Sequence, residues 1–434
     1  MMSSATHSVK QLLSYIDASP SPCHVIESTI DLLHQAHFQP LSETEQWRLN
    51  PGGRYYVTRE DSSIIAFIVG QDLIKQGCRL LVAHTDSPGL RIKPRLAKTT
   101  DQLQRLAVEV YGGAMLATFA DRDLSLAGCV AYKTKTGAIQ RRLVKWSQPL
   151  LRLPTLAIHL NRAVNEEGLK FQKQQELNLI LSATETQLAD NYFYQLLAQQ
   201  TDLSPEQILT WDLAVYDTQK GSFWGANQEF YANSQLDNLA SCHAGLMALL
   251  NQKSLNSGQT LICGFFDHEE VGSESYQGAA SDFLSSVLQR LIAATSDDPQ
   301  AYPRMMANSW LISADMAHAY HPNFSRAYDS EHKILINQGV VIKINANQRY
   351  SSNAFSSAFF IDLCQQANVP YQFYAHVNDS PCGSTLGPIL ATQLGIRSVD
   401  IGNPMWAMHS VRESAGVLDH HYLINVLCQF FAYT

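Results

Sequence analysis

The chain of 434 residues has eight cysteines and no Cys-x-x-Cys among them. That spacing excludes the common dithiol and zinc-ribbon patterns. Scattered thiols without a targeting signal fit packing residues of a reduced, cytoplasmic protein. Long apolar runs are also missing. No stretch approaches the ~18 residues of a membrane-spanning helix. The opening MMSSATHSVKQLLSYIDASPSPCHV has no basic region followed by an apolar one, so no signal peptide is expected. No Lys/Arg run or basic stripe stands out, and the formal net charge is −8. Nucleic acid and anionic membrane are therefore not expected partners. Internal repeats and low-complexity tracts are absent. What remains is ordinary globular composition, 45% hydrophobic and 16% charged. The length allows two or three domains.

The first ~40 residues carry apolar side chains at helical spacing, in SVKQLLSYID and HVIESTIDLLHQA. Strand-like RYYVTRE, SIIAFIVG and RLLVA follow. Residues 93–232 then offer LAVEVYGG, LAGCVAYKT, AIQRRLVKW and LPTLAIHL, interrupted by turns and by the polar NEEGLKFQKQQELN. This is a β-rich pattern. From about residue 235, helix and strand patterns alternate: LDNLASCHAGLMALLNQ, TLICGFF, SDFLSSVLQRLIAAT, SWLISA, VVIKIN, SSAFFIDLCQQAN, YQFYAHV, STLGPILATQLG, RSVDIG and YLINVLCQFFAY. Such alternation predicts a mixed, mostly parallel sheet flanked by helices. The expected organisation is one α/β domain from residues 1–92 and 233–434, interrupted by a β-rich insertion, 93–232.

In open α/β sheets, ligands bind beyond the carboxyl ends of the strands. RLLVA runs into His84-Thr85-Asp86. LICGFF runs into Asp267-His268-Glu269-Glu270, WLISA into Asp315 and His318, and RSVDIGNPMWAM into His409. A helix opens with Asp237-Asn238. Singly, each has an ordinary explanation: Asp237 reads as an N-cap, and a histidine after a strand as a satisfied polar residue. Together they place several carboxylates and imidazoles on one sheet edge, the donor set of a two-metal hydrolytic site. Two divalent ions, three carboxylates and a hydroxide balance in charge. HEEVG is not HExxH, which excludes a helix-borne zincin site. On a regular strand Glu269 and Glu270 would face opposite ways, so one is expected to bind metal and the other to act as general base.

The motifs HTDSPGLRIKP, DRDLSLAG, LAIHL, LDNL, FDHEEVGSESYQGA, SADMAHAYHPNF, VIKINANQRY, PCGSTLGPILA and MHSVRE occur in order over nearly the whole chain. In them the sequence closely resembles the aspartyl aminopeptidase family of dinuclear-zinc exopeptidases. The resemblance implies that His84 and Asp315 bind one zinc, Glu270 and His409 the other, and that Asp237 bridges them. It makes Glu269 the general base and Asp86 the carboxylate that orients His84. It gives His159 a place in a neighbouring subunit's active site and Lys343 a place facing an acidic substrate side chain. It makes the insertion a dimerisation domain, within a homo-oligomeric dodecamer built from dimers that takes peptides with an N-terminal Asp or Glu. The N/O donor set would also accept Co or Mn. His318 and His321 read equally as site residues or solvated loop residues. ATFADRDL lacks the aromatic pair common before DRDL in the family, and NPMWAMHS also departs from the usual pattern, which bears on pocket shape. A related dinuclear-zinc amidase, of carboxypeptidase or deacylase type, would use the same ligands. A non-catalytic scaffold would have lost at least one of them.

Overall fold

The computed structural model describes residues 2–95, 101–183, 192–252 and 258–433. Its largest sheet has nine strands. At the centre run Thr260–Phe266, Cys78–His84, Trp310–Ala314 and Arg397–Gly402, each parallel to its neighbour. Ser63–Ile68 and Arg54–Arg59 extend the sheet antiparallel on one side. Val340–Ile344 and Tyr371–Ala375 complete the other. Cys78–His84, Thr260–Phe266 and Trp310–Ala314 are buried at every position. Continuous apolar runs of that kind require cover on both faces.

Helices Met2–Ala18, Pro22–Gln35, Leu236–Leu250, Ala354–Ala367 and Val417–Ala432 contribute to the apolar cluster on one face. Phe283–Ala293, Ala301–Ala307 and Leu386–Leu394 contribute to the cluster on the other. Leu236–Leu250 is buried on nearly every side. A Cβ at Gly245 would stand 2.0 Å from the Leu81 side chain, so this helix lies close against the sheet. Its N-terminus is thereby fixed relative to the end of the Cys78–His84 strand.

A second, five-stranded antiparallel sheet orders Val108–Tyr111, Gly89–Ile92, Ile208–Asp217, Leu124–Lys133 and Ile139–Lys145, over its own apolar core. Gly89–Ile92 lies just before residue 93 and yet pairs here. Ser222–Trp224 lies before residue 233, and pairs with Phe230–Asn233 in a third sheet that also contains Pro404–Trp406 and Glu413–Gly416. The strands of this second sheet thus run from Gly89 to Asp217 in the chain.

LPTLAIHL, expected as a strand, is not one. After bridges at Leu151 and Arg152 the segment runs as exposed loop and turn. Leu156, Ile158 and Leu160 are 64%, 47% and 76% exposed. Apolar alternation needs a partner strand to become a strand, and beyond Leu153 this segment pairs with none among the described residues. NEEGLKFQKQQELN contains two one-turn helices, Val164–Glu167 and Lys173–Glu176.

Candidate metal centre

The parallel strands deliver their polar ends to one edge. His84 is the last residue of Cys78–His84, and Asp315 follows Trp310–Ala314 directly. His409 sits in the turn after Pro404–Trp406 with a left-handed backbone, φ 68°. After Thr260–Phe266 the chain turns sharply at His268, φ 66°, into a single 3-10 turn, Glu269–Val271. That turn changes the expectation for the glutamates. On a strand they would point apart; on a tight helical turn both carboxylates swing toward His84.

Three groups of donor atoms converge, each within 4.8 Å: His84, Asp237 and Asp315; Asp237, Glu270 and His409; and His84, Glu269 and Glu270. Asp237 belongs to two of them. Its Oδ1 lies 3.5 Å from His84 Nε2, and its Oδ2 lies 3.5 Å from His409 Nε2. His84 Nε2 is 3.8 Å from Asp315 and 4.0 Å from Glu269, and His409 Nε2 is 3.3 Å from Glu270. The Asp237 carboxylate faces the two imidazoles rather than the helix N–H groups, and its Oδ1 is buried with no hydrogen-bond partner among the described residues.

Both imidazoles are held by their other nitrogen. His84 Nδ1 donates to the Asp86 carbonyl at 3.0 Å, with the Asp86 carboxylate at 3.4 Å. His409 Nδ1 donates to the Gly113 carbonyl at 3.2 Å. Each Nε2 is left facing the carboxylates, the tautomer a metal ligand requires. Asp86 accepts the backbone N–H groups of Glu269 and Glu270, both at 3.1 Å, and thereby fixes the turn that carries them.

Electrostatics shows what this crowding costs. Burial, together with the nearby Asp315 and Glu270 charges, pushes Glu269 well above the usual carboxylate range, against the pull of His84. Burial and Asp237 raise Glu270 to about 7, against His409. Burial opposes charge on His409, but Asp237 and Glu270 hold its pKa up at about 11. His84 is raised in the same way by Asp237, Asp315 and Asp86. Asp237 stays far below its ordinary range because both imidazoles face it, despite its burial. Like charges this close require positive charge between them. The partnerless Asp237 Oδ1 and an all N/O donor set fit zinc.

Lys343 lies on the same cavity wall and is buried, not solvent-facing. Its Nζ is 3.6 Å from Asp315 Oδ2 and 5.5 Å from the centre of the Tyr350 ring. His318 lines the cavity, with its ring against Tyr374 at 5.9 Å. His321 does not; its Nδ1 caps the turn at Asn323 and its ring contacts Phe324. His159 is in the exposed loop and lines no part of the cavity formed by its own chain.

Three supporting residues escaped the sequence reading. Glu413 accepts N–H groups from both Asp237 and His409. Tyr111 donates to Asp86 at 2.6 Å. Asn238 donates to the Ala314 carbonyl at 2.8 Å, tying the helix start to the strand that leads to Asp315. Glu413 left a trace as the last residue of MHSVRE, and Asn238 as the third of LDNL.

The comparisons with known proteins agree in kind. The family model described as Aminopeptidase I zinc metalloprotease (M18) matches residues 15–431. A probable M18 family aminopeptidase 2 of Ectopseudomonas mendocina (strain ymp) is 45% identical over 430 residues, covering 98% of each chain. The probable M18 family aminopeptidase 2 of Stutzerimonas stutzeri (strain A1501) is 45% identical over 426 residues, 97% of each. Among solved structures, a cryo-EM structure of an Ape4 and Nbr1 complex superposes with a TM-score of 0.96 at 37% identity, covering 99% of this chain and 86% of that one. The S. cerevesiae mApe1 dodecamer superposes with a TM-score of 0.87 at 26% identity, covering 98% and 96%.

Proposed function

Because the chain belongs to the M18 family of zinc aminopeptidases, we propose that it removes N-terminal Asp and Glu residues from peptides at a two-zinc centre built on Asp237. The observation that carries this reading is the shared carboxylate: Asp237 meets His84 through one oxygen and His409 through the other, both at 3.5 Å. His84, Asp315 and Asp237 hold one ion, and His409, Glu270 and Asp237 the second, with Co or Mn as substitutes for zinc. Bound zinc supplies Lewis acidity, lowering the pKa of water and polarising the scissile carbonyl.

The remaining steps belong to the chain. Glu269, held at the centre by the Asp86-anchored turn, takes a proton from the attacking water and returns it to the departing peptide nitrogen. Asp86 orients His84. Lys343 offers the cavity's ammonium to the substrate's acidic side chain. His159 has no approach to its own centre and serves the site of a neighbouring subunit. Residues 1–92 and 233–434 form the catalytic unit, and 93–232 the dimerisation unit, into whose sheet Gly89–Ile92 is drawn. The subunits assemble as a dodecamer built from dimers, a reading supported by the dodecamer of the S. cerevesiae relative. Eight free cysteines, and no helix long and apolar enough to cross a membrane among the described residues, suit a cytoplasmic enzyme.

The test is a panel of peptides with N-terminal Asp, Glu, Leu, Ala or Lys, and N-acetylated counterparts, assayed with zinc. Asp and Glu peptides with a free amine should be cleaved fastest. Equal rates across the panel would remove the acidic preference, and preferred cleavage of the blocked peptides would point to an amidase instead.

A further inference from the structure

Asp86 is fully buried and collects its donors from two parts of the fold. From the main sheet come the Glu269 N–H on Oδ1 and the Glu270 N–H on Oδ2, with His84 Nδ1 alongside. From the inserted sheet comes Tyr111, the last residue of Val108–Tyr111, whose hydroxyl donates to Oδ2 at 2.6 Å. A carboxylate offers about four lone-pair sites. Three hydrogen bonds, from Glu269, Glu270 and Tyr111, occupy most of them, so Asp86 is held from both sides.

The Tyr111 ring is itself held. The Arg91 guanidinium lies 4.6 Å from its centre, on the neighbouring strand. Burial and the Asp86 charge push the phenol far above its ordinary pKa, so the hydroxyl remains a donor at all working pH values. The two residues that follow touch the other half of the centre. Gly112 has φ +63°, and a Cβ there would stand 3.2 Å from Glu270 Cβ. Gly113 takes the Nδ1–H of His409. Tyr111-Gly112-Gly113 thus meets Asp86, Glu270 and His409 in succession, although it comes from the insertion.

Resting on the two-zinc reading above, we propose that Tyr111 is a positioning residue for the reaction: its hydroxyl, donated across the sheet boundary to Asp86, holds His84 and the Glu269-Glu270 turn in working register. It touches neither substrate nor reacting atoms. It acts through Asp86, whose remaining donors are all attached to the residues being positioned. Without the hydroxyl, one buried carboxylate lone pair loses its partner and Asp86 can rotate toward His84, pulling away from the backbone of the turn.

The test uses the full-length, zinc-loaded oligomer and Tyr111→Phe, which keeps the ring under Arg91 and removes one oxygen. Kinetics on an N-terminal Asp peptide should show kcat lower by ~10–100-fold, with KM unchanged. Zinc affinity, read independently by chelator competition, should fall within the same range. The decisive arm is Tyr111→Phe in an Asp86→Asn background. If the hydroxyl acts through Asp86, the second substitution adds no further loss of zinc affinity. A Tyr111→Phe enzyme with wild-type kcat and zinc affinity overturns the proposal. So does an equal loss in both backgrounds, which is how general misfolding would register. Wild-type enzyme that fails to cleave acidic peptides would sink the functional reading instead, and the zinc arm would still decide the role of Tyr111.

Discussion

The carboxylate of Glu413 accepts the backbone N–H of Asp237 at 3.1 Å. Its other oxygen accepts the backbone N–H of His409 at 2.7 Å. One buried side chain therefore spaces the shared carboxylate from the second imidazole, though it faces no donor atom of the centre. Glu413→Gln keeps the shape but turns an NH₂ group toward one of these N–H groups, so two donors oppose each other. Zinc affinity should fall by ~10–100-fold, the usual cost of losing such support. Chelator competition measures it, and unchanged affinity would show that the spacing tolerates the loss.

Glu269 makes the opposite prediction. Its carboxylate is 4.0 Å from His84 Nε2 and stands outside the two groups that share Asp237. Glu269→Gln should retain two zinc ions per chain by elemental analysis. Turnover should drop by ~10²–10⁴, the typical worth of a general base. Loss of metal along with activity would make Glu269 a ligand and reassign the base.

Lys343 can be tested for two roles at once. Its Nζ sits 3.6 Å from Asp315, so it could steady a candidate ligand as readily as meet a substrate. Lys343→Leu should cut cleavage of N-terminal Asp and Glu peptides far more than of Leu peptides, since only an acidic side chain gains a charge-assisted contact from the ammonium. A uniform fall on every substrate, with loss of zinc, would assign Lys343 to Asp315 instead.

How much of this was legible in the sequence depended on range. Buried parallel strands announce themselves as apolar runs, and a strand that stops at His84 or Asp315 names its own candidate. Asp237 was legible only in company, because an aspartate at a helix start has a cheaper explanation until its carboxylate is seen between two imidazoles. The facing of the Glu269-Glu270 pair is not legible in the sequence, since a 3-10 turn after a left-handed His268 follows no simple periodicity. The roles of Tyr111 and Glu413 were hidden for a different reason. Each acts on groups 25 and 176 positions away, respectively, through an oxygen that meets a carboxylate or a backbone N–H. LPTLAIHL has strand alternation without a strand, because alternation records a surface to be covered and not what covers it.

The buried pair His243 and His420 gives a stability prediction away from the centre. Nδ1 of the first and Nε2 of the second are 3.0 Å apart, and the Tyr15 ring packs 5.6 Å from His243. Burial pushes His243 down to about 3. Burial, then His243 and His421, press His420 well below its ordinary value. In the unfolded chain both titrate near ~6.5. The unfolded state therefore binds more protons below that pH, and stability is lost as pH falls from about 6.5 toward 3. Replacing both with Leu should flatten the acid-side decline in melting temperature relative to wild type. An unchanged slope would place the acid sensitivity elsewhere.

The exposed loop carries the last prediction. Leu156, Ile158 and Leu160 face solvent around His159, and three exposed apolar residues at alternate positions are costly for an isolated chain. A neighbouring subunit that covers them would bring His159 with them. If the imidazole then reaches that neighbour's centre and donates to the oxyanion formed on the peptide carbonyl, its loss should cost ~10²–10³ in kcat. His159→Ala chains should bind zinc and assemble normally, yet turn over slowly. Glu269→Gln chains should be inactive for a separate reason. When the two are mixed under conditions that exchange subunits, some pairs place an intact Glu269 beside an intact His159 from the partner, and activity should rise above that of either variant alone. Mixed oligomers that form without any gain would confine His159 to a structural role in its own subunit.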